Sequence, residues 1–542
     1  MHLMDLERGI RPAEVALVGN ELILRAADCS SFRLCAPWTI PAIGNKMIST
    51  GTLMSERSPF HLSVELARGL CVSVRNQAAD WEAAGLTLNE DFRKTIQDAG
   101  KYLFQAVKIA RESAGHSPEA DQFAVYSMQL SSKASLICAK SYIERVLLLR
   151  RITRQSEEAA ASLSNRRAGQ DTTQSLPSDE DSAPVFSFPL SDSSKMPKED
   201  LDDDDTAIHI IESSPPKHVG IRIDESPLEN ELKELFFQTF SHVNIDLAWE
   251  RIEASPDLLD RFEAQIDWCY SNGFMVTAGP IINFFPQHIP QYLLKHKGNF
   301  NAICECVREY VQNIVKRFRS RVTTWIATSR VNSFFPLGLN LLEQLELTIK
   351  IVGWIQQCQP TAEIITSFDQ PWGESVLPSP VGVWDGDFDV YPAVACADYV
   401  VQSRGKISGI QLEFNIGYQN NATYDRPLLG WSRLIDQWSI LGLPLYLMFR
   451  VPSSAEADPK ALIPTTPVWD GWSLRHQAQW VSNIIPLVLA KPRVYGVDWA
   501  VFRDYRFHDY AHAGLITSDG RVKRAQPMLA EILKFFSADV TD

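Results

Sequence analysis

The order of patterns within residues 322–368 decides the fold: VTTWIAT at residues 322–328, LNLLEQLELTIKIVGWIQQC at 339–358 and AEIITSF at 362–368. The first and third runs are short and apolar, which is typical of buried strands. In the middle run apolar residues recur every three or four positions, which indicates a helix. A strand, a crossover helix and a second strand form the unit of a parallel sheet.

The same alternation continues on both sides of this stretch and predicts a (β/α)8 barrel over residues 217–538. Eight such units in about 320 residues fit a closed barrel. An open doubly wound sheet is disfavoured, because no glycine-rich phosphate loop follows the first strand. The other strand candidates are HVGIRI (218–223), HVNIDL (242–247), GFMVTAG (273–279), GIQLEF (409–414), LPLYLMF (443–449) and VYGVDWAVF (494–502).

Residues 1–155 predict a smaller N-terminal domain. Short alternating runs over residues 15–40, with a turn at Gly19-Asn20, indicate strands. Residues 61–155 have apolar residues at helical spacing, which predicts two or three long amphipathic helices.

Residues 156–216 are rich in Ser, Asp, Pro and Gly and include four consecutive aspartates at 202–205. This composition predicts a disordered acidic linker. An acidic interaction tail is the alternative interpretation.

Composition excludes several classes of partner. The 542 residues have a net charge of −14, which gives no basic surface for nucleic acid or an anionic membrane. The start MHLMDLERGI lacks the pattern of a secretory signal, so we expect a cytoplasmic protein. Nine scattered cysteines suit a reducing compartment, and no metal-type spacing is present, so no metal and no cofactor are expected.

In barrels of this kind the functional face lies where the strands end. Residues that follow the predicted strands are therefore the candidates for a site. The candidate binding residues are Trp249, Asn283, Arg330, Asp369, Trp372, Asn415, Tyr418, Arg450, Trp499 and Asp504, and the candidate carboxylates are Glu374 and Glu413.

Tryptophans support a carbohydrate groove at this face. Eight of the fourteen fall between Trp372 and Trp499, several in the loops QPWGES, GVWDGD and PVWDGW. Flat aromatic faces beside Asp, Asn and Glu suit a sugar, whose C–H face stacks while its hydroxyls need donors and acceptors. Trp431, Trp438 and Trp480 lie within helical patterns and are expected in the core. For the loop tryptophans, binding and packing both remain open.

Several runs together resemble glycoside hydrolase family 10, the xylanase-type barrels. The resemblance covers about Lys217 to Phe536 and rests on framework more than on motif. The runs, in order, are IDLAWERIE, WCYSNGFMVTAGPIINFFPQHIP, VKRFRSRVTTWIATSR, IITSFDQ, GIQLEFN, LGLPLYLMFRVP, YGVDWAVFRD and GLITSDGRVKRAQPML.

The resemblance implies a site in which the family's catalytic residues are replaced. The family's fourth strand ends in its acid/base glutamate, and the matching residue here is Arg330. The nucleophile glutamate near the end of its seventh strand matches Phe449, and Glu413 stands in place of a glutamine beside the reacting sugar. Residues that keep the family's type are Trp249, Glu250, Trp325, Asp369, Trp499 and Asp504.

Three functions follow as hypotheses. The first is a non-catalytic protein that binds a glycan in the groove or serves as a scaffold. The second is an atypical glycoside hydrolase that uses Glu413 and Glu374, which requires the two carboxyl groups within about 10 Å of each other. The third is a protein partner for the N-terminal region, with the barrel as a platform. A salt bridge from Glu413 to Arg330 or Arg450 is the structural alternative to a catalytic role for Glu413.

Overall fold

The computed structural model divides the chain into two compact units, Met1–Ile143 with Pro215–Asp542, and Glu144–Ser214. The structure describes residues 1–4, 10–11, 13–26, 30–113, 115–168, 217–226, 228, 230–247, 249–374, 391–403, 406–418, 423–463, 471–504 and 508–536, and for residues 154–168 it describes the backbone.

The N-terminal region begins with antiparallel strands. One sheet has the order β2-β1-β5-β6, with β7 paired to β5, and β3 and β4 form a separate hairpin. The hairpin turns at Gly19-Asn20, as predicted. The strands are β1 (His2–Met4), β2 (Ile10–Arg11), β3 (Glu14–Val18), β4 (Glu21–Arg25), β5 (Ser31–Ile40), β6 (Gly44–Ser49) and β7 (Leu53–Met54).

Three helices follow: α1 (Leu62–Ala83), α2 (Glu90–Glu112) and α3 (Pro118–Ala168). Helix α1 packs closely on the sheet, since a Cβ at Gly69 would lie 2.0 Å from the carbonyl oxygen of Ser49. Helix α3 continues to Ala168, past the end expected near Gln155. The residues 156–168 include four Ala, two Glu and two Arg, which favour helices. The rest of the predicted linker lies outside the described residues.

The eight predicted strands form a closed barrel, which confirms the α/β fold class. Neighbouring strands are parallel, in the order β10-β12-β14-β15-β16-β18-β8-β9. The strand β8 buries all six of its residues, as expected of a parallel strand that is covered on both faces. The barrel strands are β8 (His218–Ile223), β9 (His242–Ile245), β10 (Met275–Ala278), β12 (Thr324–Ile326), β14 (Glu363–Asp369), β15 (Gly409–Asn415), β16 (Leu445–Arg450) and β18 (Val494–Trp499).

Two short parallel pairs follow barrel strands: β11 (Ile282–Asn283) with β13 (Thr328–Ser329), and β17 (Ala461–Ile463) with β19 (His508–Tyr510). The helices of this region are α4 (Asn230–Thr239), α5 (Trp249–Ala254), α6 (Leu258–Ser271), α7 (Gln291–Leu294), α8 (Phe300–Phe318), α9 (Leu341–Cys358), α10 (Ala393–Gln402), α11 (Leu428–Ser439), α12 (Leu474–Leu489) and α13 (Ala525–Phe536).

Helices cover the outside of the barrel and bury the tryptophans expected in the core. Trp431 and Trp438 of α11 and Trp480 of α12 are buried. Among the described helices, none has the length and apolar composition needed to cross a membrane.

The N-terminal helices share a hydrophobic core with the barrel. Trp81 of α1 and Cys138 of α3 belong to the same buried cluster as Leu429 of α11 and Leu487 of α12. The sheet contributes a backbone bond from Met47 N to the carbonyl oxygen of Asp425, 2.8 Å long. Residues 1–143 and the barrel are therefore parts of one packed body.

Replacing Asn340 by alanine should lower the free energy of unfolding by about 0.5–2 kcal/mol. Asn340 caps α9: its side chain accepts from Glu343 N, and the Glu343 side chain accepts from Asn340 N, each at 2.9 Å. Asn313→Ala, at an exposed position within α8, is the matched control for chemical unfolding. Equal stability of the two variants would contradict the assigned cap.

Candidate functional site

A cavity of about 740 Å³ lies at the carboxyl ends of β8, β9, β16 and β18. Because loops after the strands form this face, it is the usual place for a ligand in a (β/α)8 barrel. Its apolar lining includes Leu228, Leu232, Leu462, Val501 and Phe502. Its polar lining includes Arg222, Asp246, Glu250, His288, Arg450 and Asp509.

Glu413 is a buried counter-ion behind this cavity. Ser367 donates to its Oε1 at 3.0 Å, and Ser329 donates to the same oxygen. Arg450 Nη1 donates to Oε2 at 2.9 Å, and Arg330 Nε lies 3.4 Å from that oxygen. Burial alone would raise the pKa of Glu413, but the two guanidinium groups outweigh it and lower the pKa. The salt bridge considered as the alternative to catalysis is present.

Strand geometry explains why these groups meet. Glu413 and Asn415 are two residues apart on β15 and therefore share a face of the strand. Register pairs Asn415 with Arg450 and Glu413 with Asp369 on the two neighbouring strands. Arg450 Nη1 also donates to Asn415 Oδ1 at 3.0 Å.

Arg330 follows β13 directly and is fully buried. Its backbone is left-handed, with φ of 63°, a conformation uncommon for residues other than glycine. The guanidinium carbon lies 4.8 Å from the ring centre of Phe285 and 5.7 Å from that of Tyr510. Arg330 Nη2 donates to Asp509 Oδ2 at 3.2 Å. Arg330 thus fits between aromatic rings and two carboxylates.

His288 connects two carboxylates of the cavity. Its Nδ1 lies 2.9 Å from Glu250 Oε1, and its Nε2 lies 2.9 Å from Asp509 Oδ1. Burial alone would lower the pKa of His288, but Asp509 and Glu250 outweigh it and raise the pKa to about 10. Burial likewise disfavours ionised Asp509, yet His288 and the arginines hold its pKa well below the usual value.

We expect the free energy of unfolding to fall as the pH rises from about 7 to about 10, because His288 loses its proton. A histidine whose pKa is higher in the folded state stabilises the fold fully at pH values below its unfolded pKa of about 6.5. This contribution is lost as the pH rises through the folded pKa. His288→Gln should flatten this decline in chemical unfolding experiments, whereas His296→Gln, at a half-exposed position, should retain it. The same decline in wild type and His288→Gln would contradict a protonated His288.

Asp369 is buried among amides. Asn415 Nδ2 and the backbone N of Gln370 each donate to Asp369 Oδ1 at 2.9 Å, while Oδ2 has no hydrogen-bond partner among the described residues. Asn332 Nδ2 donates to the backbone oxygen of Asp369 at 2.8 Å, and Asn332 Oδ1 accepts from the backbone N of Asp369 at 3.1 Å. Burial raises the pKa of Asp369, and Glu413 adds to the increase while Arg330 opposes it.

Glu374 and Trp372 lie beside the N-terminal sheet. Arg426 donates to Glu374 Oε1 at 2.6 Å, and its guanidinium carbon lies 5.1 Å from the Trp372 ring centre. A second cavity of about 300 Å³ is lined by Trp372 and Arg426 together with Met4 of β1. Glu374 and Glu413 therefore pair with different arginines, and Glu374 belongs to the contact with the sheet.

Five other candidates occupy packing or loop-bracing positions. Trp249 is buried, with its ring stacked at 4.0 Å on Tyr310. Trp499 Nε1 donates to Ala513 O at 2.8 Å and Tyr418 OH to Ala511 O at 2.7 Å.

The remaining two are also engaged with their own loops. Asn283 Oδ1 accepts from Phe285 N at 3.0 Å, and Asp504 Oδ1 accepts from Gly514 N at 2.6 Å. The Asp504 carboxylate also accepts from Lys523. Trp384 and Trp469 of the predicted aromatic groove lie outside the described residues.

Sequence reasoning missed Arg222, Asp246, His288 and Asp509. Arg222 and Asp246 lie near the ends of the first two barrel strands and were detectable by the same rule as the other candidates. His288 and Asp509 come from connecting segments, the latter from β19, so no local pattern connects them.

No model of a known protein family and no curated protein sequence matches the chain. Solved structures that resemble it include native xylanase 10B from Thermotoga maritima. The two sequences are 14% identical, the alignment covers 59% of this chain and 95% of that chain, and the TM-score is 0.44. Xylanase 10B from Thermotoga petrophila RKU-1 in complex with xylobiose has 15% identity, coverages of 59% and 94%, and a TM-score of 0.43.

Xylanase B from Clostridium stercorarium F9 has 12% identity, covers 60% of this chain and 98% of that one, and has a TM-score of 0.43. Similarity at this level assigns no activity. The chain contains a closed (β/α)8 barrel, and the solved structures to which it is similar include xylanases of glycoside hydrolase family 10.

Proposed function

We propose that the barrel binds a carbohydrate in the 740 Å³ cavity without hydrolysing it by the two-carboxylate mechanism. The observation that carries this proposal is that three carboxylates lining the cavity each have a cation beside them. Asp246 Oδ2 lies 2.6 Å from Arg222 Nη2. Glu250 Oε1 lies 2.9 Å from His288 Nδ1, and Asp509 Oδ1 lies 2.9 Å from His288 Nε2.

Glycoside hydrolysis of the usual kind needs one protonated carboxyl group to donate to the leaving oxygen and a second, ionised one as nucleophile or base. A neighbouring cation favours the ionised form, and His288 and the arginines hold the pKa of Asp509 well below its usual value, so Asp509 is a poor proton donor. The resemblance adds Arg330 and Phe449 at the positions of the family's two glutamates. A guanidinium stays charged, and a phenyl ring has neither a proton to donate nor a lone pair for attack.

The cavity offers what a sugar requires. Phe502 and the leucines provide an apolar wall for C–H faces, while charged and imidazole groups can bond to hydroxyls. Arg222 Nε has no hydrogen-bond partner among the described residues. A buried donor in this state favours a ligand oxygen as its partner.

Two alternatives remain hypotheses. An atypical hydrolase using Glu413 and Glu374 would need both carboxylates at one sugar, and each is engaged by its own arginine. The N-terminal region as the binding site for a protein partner has no specific supporting observation.

Calorimetric titration with oligosaccharides of xylan, cellulose and β-mannan tests the proposal. We expect wild type to bind at least one, and Arg222→Gln to bind it about tenfold or more weakly, because a charged hydrogen bond is lost. Arg261→Gln, an exposed arginine of α6, is the control. If Arg222→Gln does not fold, Phe502→Ala replaces it. The proposal fails if wild type binds none, or if the cavity variant binds as tightly as wild type.

A further inference from the structure

A cluster of two histidines and an aspartate lies inside the barrel, apart from the cavity. His218, His242 and Asp498 come from three neighbouring strands, β8, β9 and β18, and all are buried. His242 Nδ1 lies 2.9 Å from Asp498 Oδ1, and His218 Nε2 lies 4.0 Å from the same oxygen. Both histidines are the first residues of their strands, whereas the cavity lies at the opposite, carboxyl ends.

Two glycines make room for the cluster. Register places Gly220 of β8 between Asp498 and His242, and a Cβ there would lie 2.0 Å from Asp498 Oδ1 and 2.7 Å from His242 Nδ1. Gly496 of β18 pairs with His218, and a Cβ there would lie 2.0 Å from His218 Nε2. The three donor atoms thus occupy space that any other residue at these positions would fill.

One of the three donor atoms has no hydrogen-bond partner among the described residues. His218 Nε2 is buried and makes no hydrogen bond within the described part of the chain. Buried polar atoms are seldom left in this state, and an ion is one explanation for an exception.

The surrounding contacts suit a ligand set. His242 Nε2 lies 2.8 Å from Thr277 Oγ1, so a bond to the threonine would orient the ring and leave Nδ1 to face the cluster. Gln411 of β15 bonds to the Asp498 side chain. Metal-binding histidines and carboxylates typically have such supporting hydrogen bonds.

We propose that His218 Nε2, His242 Nδ1 and Asp498 Oδ1 bind a divalent metal ion of the zinc class. Two imidazoles and a carboxylate are ordinary zinc ligands, with bonds of about 2.0–2.2 Å that separate tetrahedral ligands by about 3.3 Å. The observed separations of 2.9 and 4.0 Å bracket that value. The ion would join the first, second and eighth strands of the barrel.

The test uses the full-length chain without a histidine tag. Elemental analysis after dialysis against Zn²⁺ should give about one ion per chain, and Co²⁺ should give the visible absorption of a four-coordinate site. His218→Gln should bind Zn²⁺ at least about tenfold more weakly, because one of three protein ligands is lost. His2→Gln is the matched control, since His2 is also buried with an Nε2 lacking a partner among the described residues.

Anomalous diffraction from wild-type crystals grown with Zn²⁺ locates the ion even if His218→Gln does not fold. A peak between the three donor atoms supports the proposal. It is overturned by the absence of such a peak, by equal binding in His218→Gln and wild type, or by zinc found only at the more exposed group of His61, His116 and Asp121.

Discussion

Replacing Glu413 by glutamine should lower the free energy of unfolding by about 3–5 kcal/mol, because it removes one partner of a buried ion network. Arg330 and Arg450 would keep their charges, and Asp509 Oδ2 would still lie 3.2 Å from Arg330 Nη2 and 3.9 Å from Arg450 Nη2. Chemical unfolding monitored by circular dichroism measures the difference.

Glu363→Gln is the control, since Glu363 is an exposed glutamate at the start of the neighbouring strand β14. The double variant Glu413→Gln, Arg450→Gln should recover part of the loss, because it removes a cation together with the anion. If Glu413→Gln is as stable as Glu363→Gln, Glu413 is not a counter-ion of structural importance.

Replacing Leu429 by alanine should cost about 2–5 kcal/mol and destabilise the N-terminal helices together with the barrel. Leu429 lies on barrel helix α11 but is buried in the cluster that contains Trp81 and Cys138. Circular dichroism and tryptophan fluorescence should follow one coincident transition in both wild type and variant.

Leu342→Ala, at an exposed position of α9, is the control for this experiment and should change stability little. Separate transitions, with only one of them moved by Leu429→Ala, would contradict a shared core.

The barrel was predictable because each strand is a short buried run followed by a helical pattern, and both features are local. Closure into eight strands then follows from the count of units. Burial of Trp431 and Trp438 was predictable for the same reason, since helical spacing alone places them on the inner face.

The site was only partly predictable, because its partners come from distant parts of the chain. Glu413 and its two arginines were identified at strand ends, and their mutual contact was considered. Trp372 and Glu374 follow a strand as a binding residue would, yet they face the N-terminal sheet, and no local pattern shows where that sheet docks. Asp509 joins the network from β19, well beyond the end of β18.

The proposed metal site was not predictable from the sequence for the same reason, because its residues come from distant parts of the chain. His218, His242 and Asp498 are far apart in sequence and meet only because β18, β8 and β9 are neighbours in the closed barrel. Spacing rules for metal sites detect ligands within one segment, so the sequence carried no such signal.

The most direct test of the central claim is a measurement of reducing-sugar release from xylan, cellulose and β-mannan by the wild-type protein at high concentration. Because Asp246, Glu250, Asp509 and Glu413 each lie beside an arginine or His288, we expect the protein to release no more than the buffer does. Sustained release by wild type that is abolished in folded Glu413→Gln would contradict the account and would make Glu413 part of an active site.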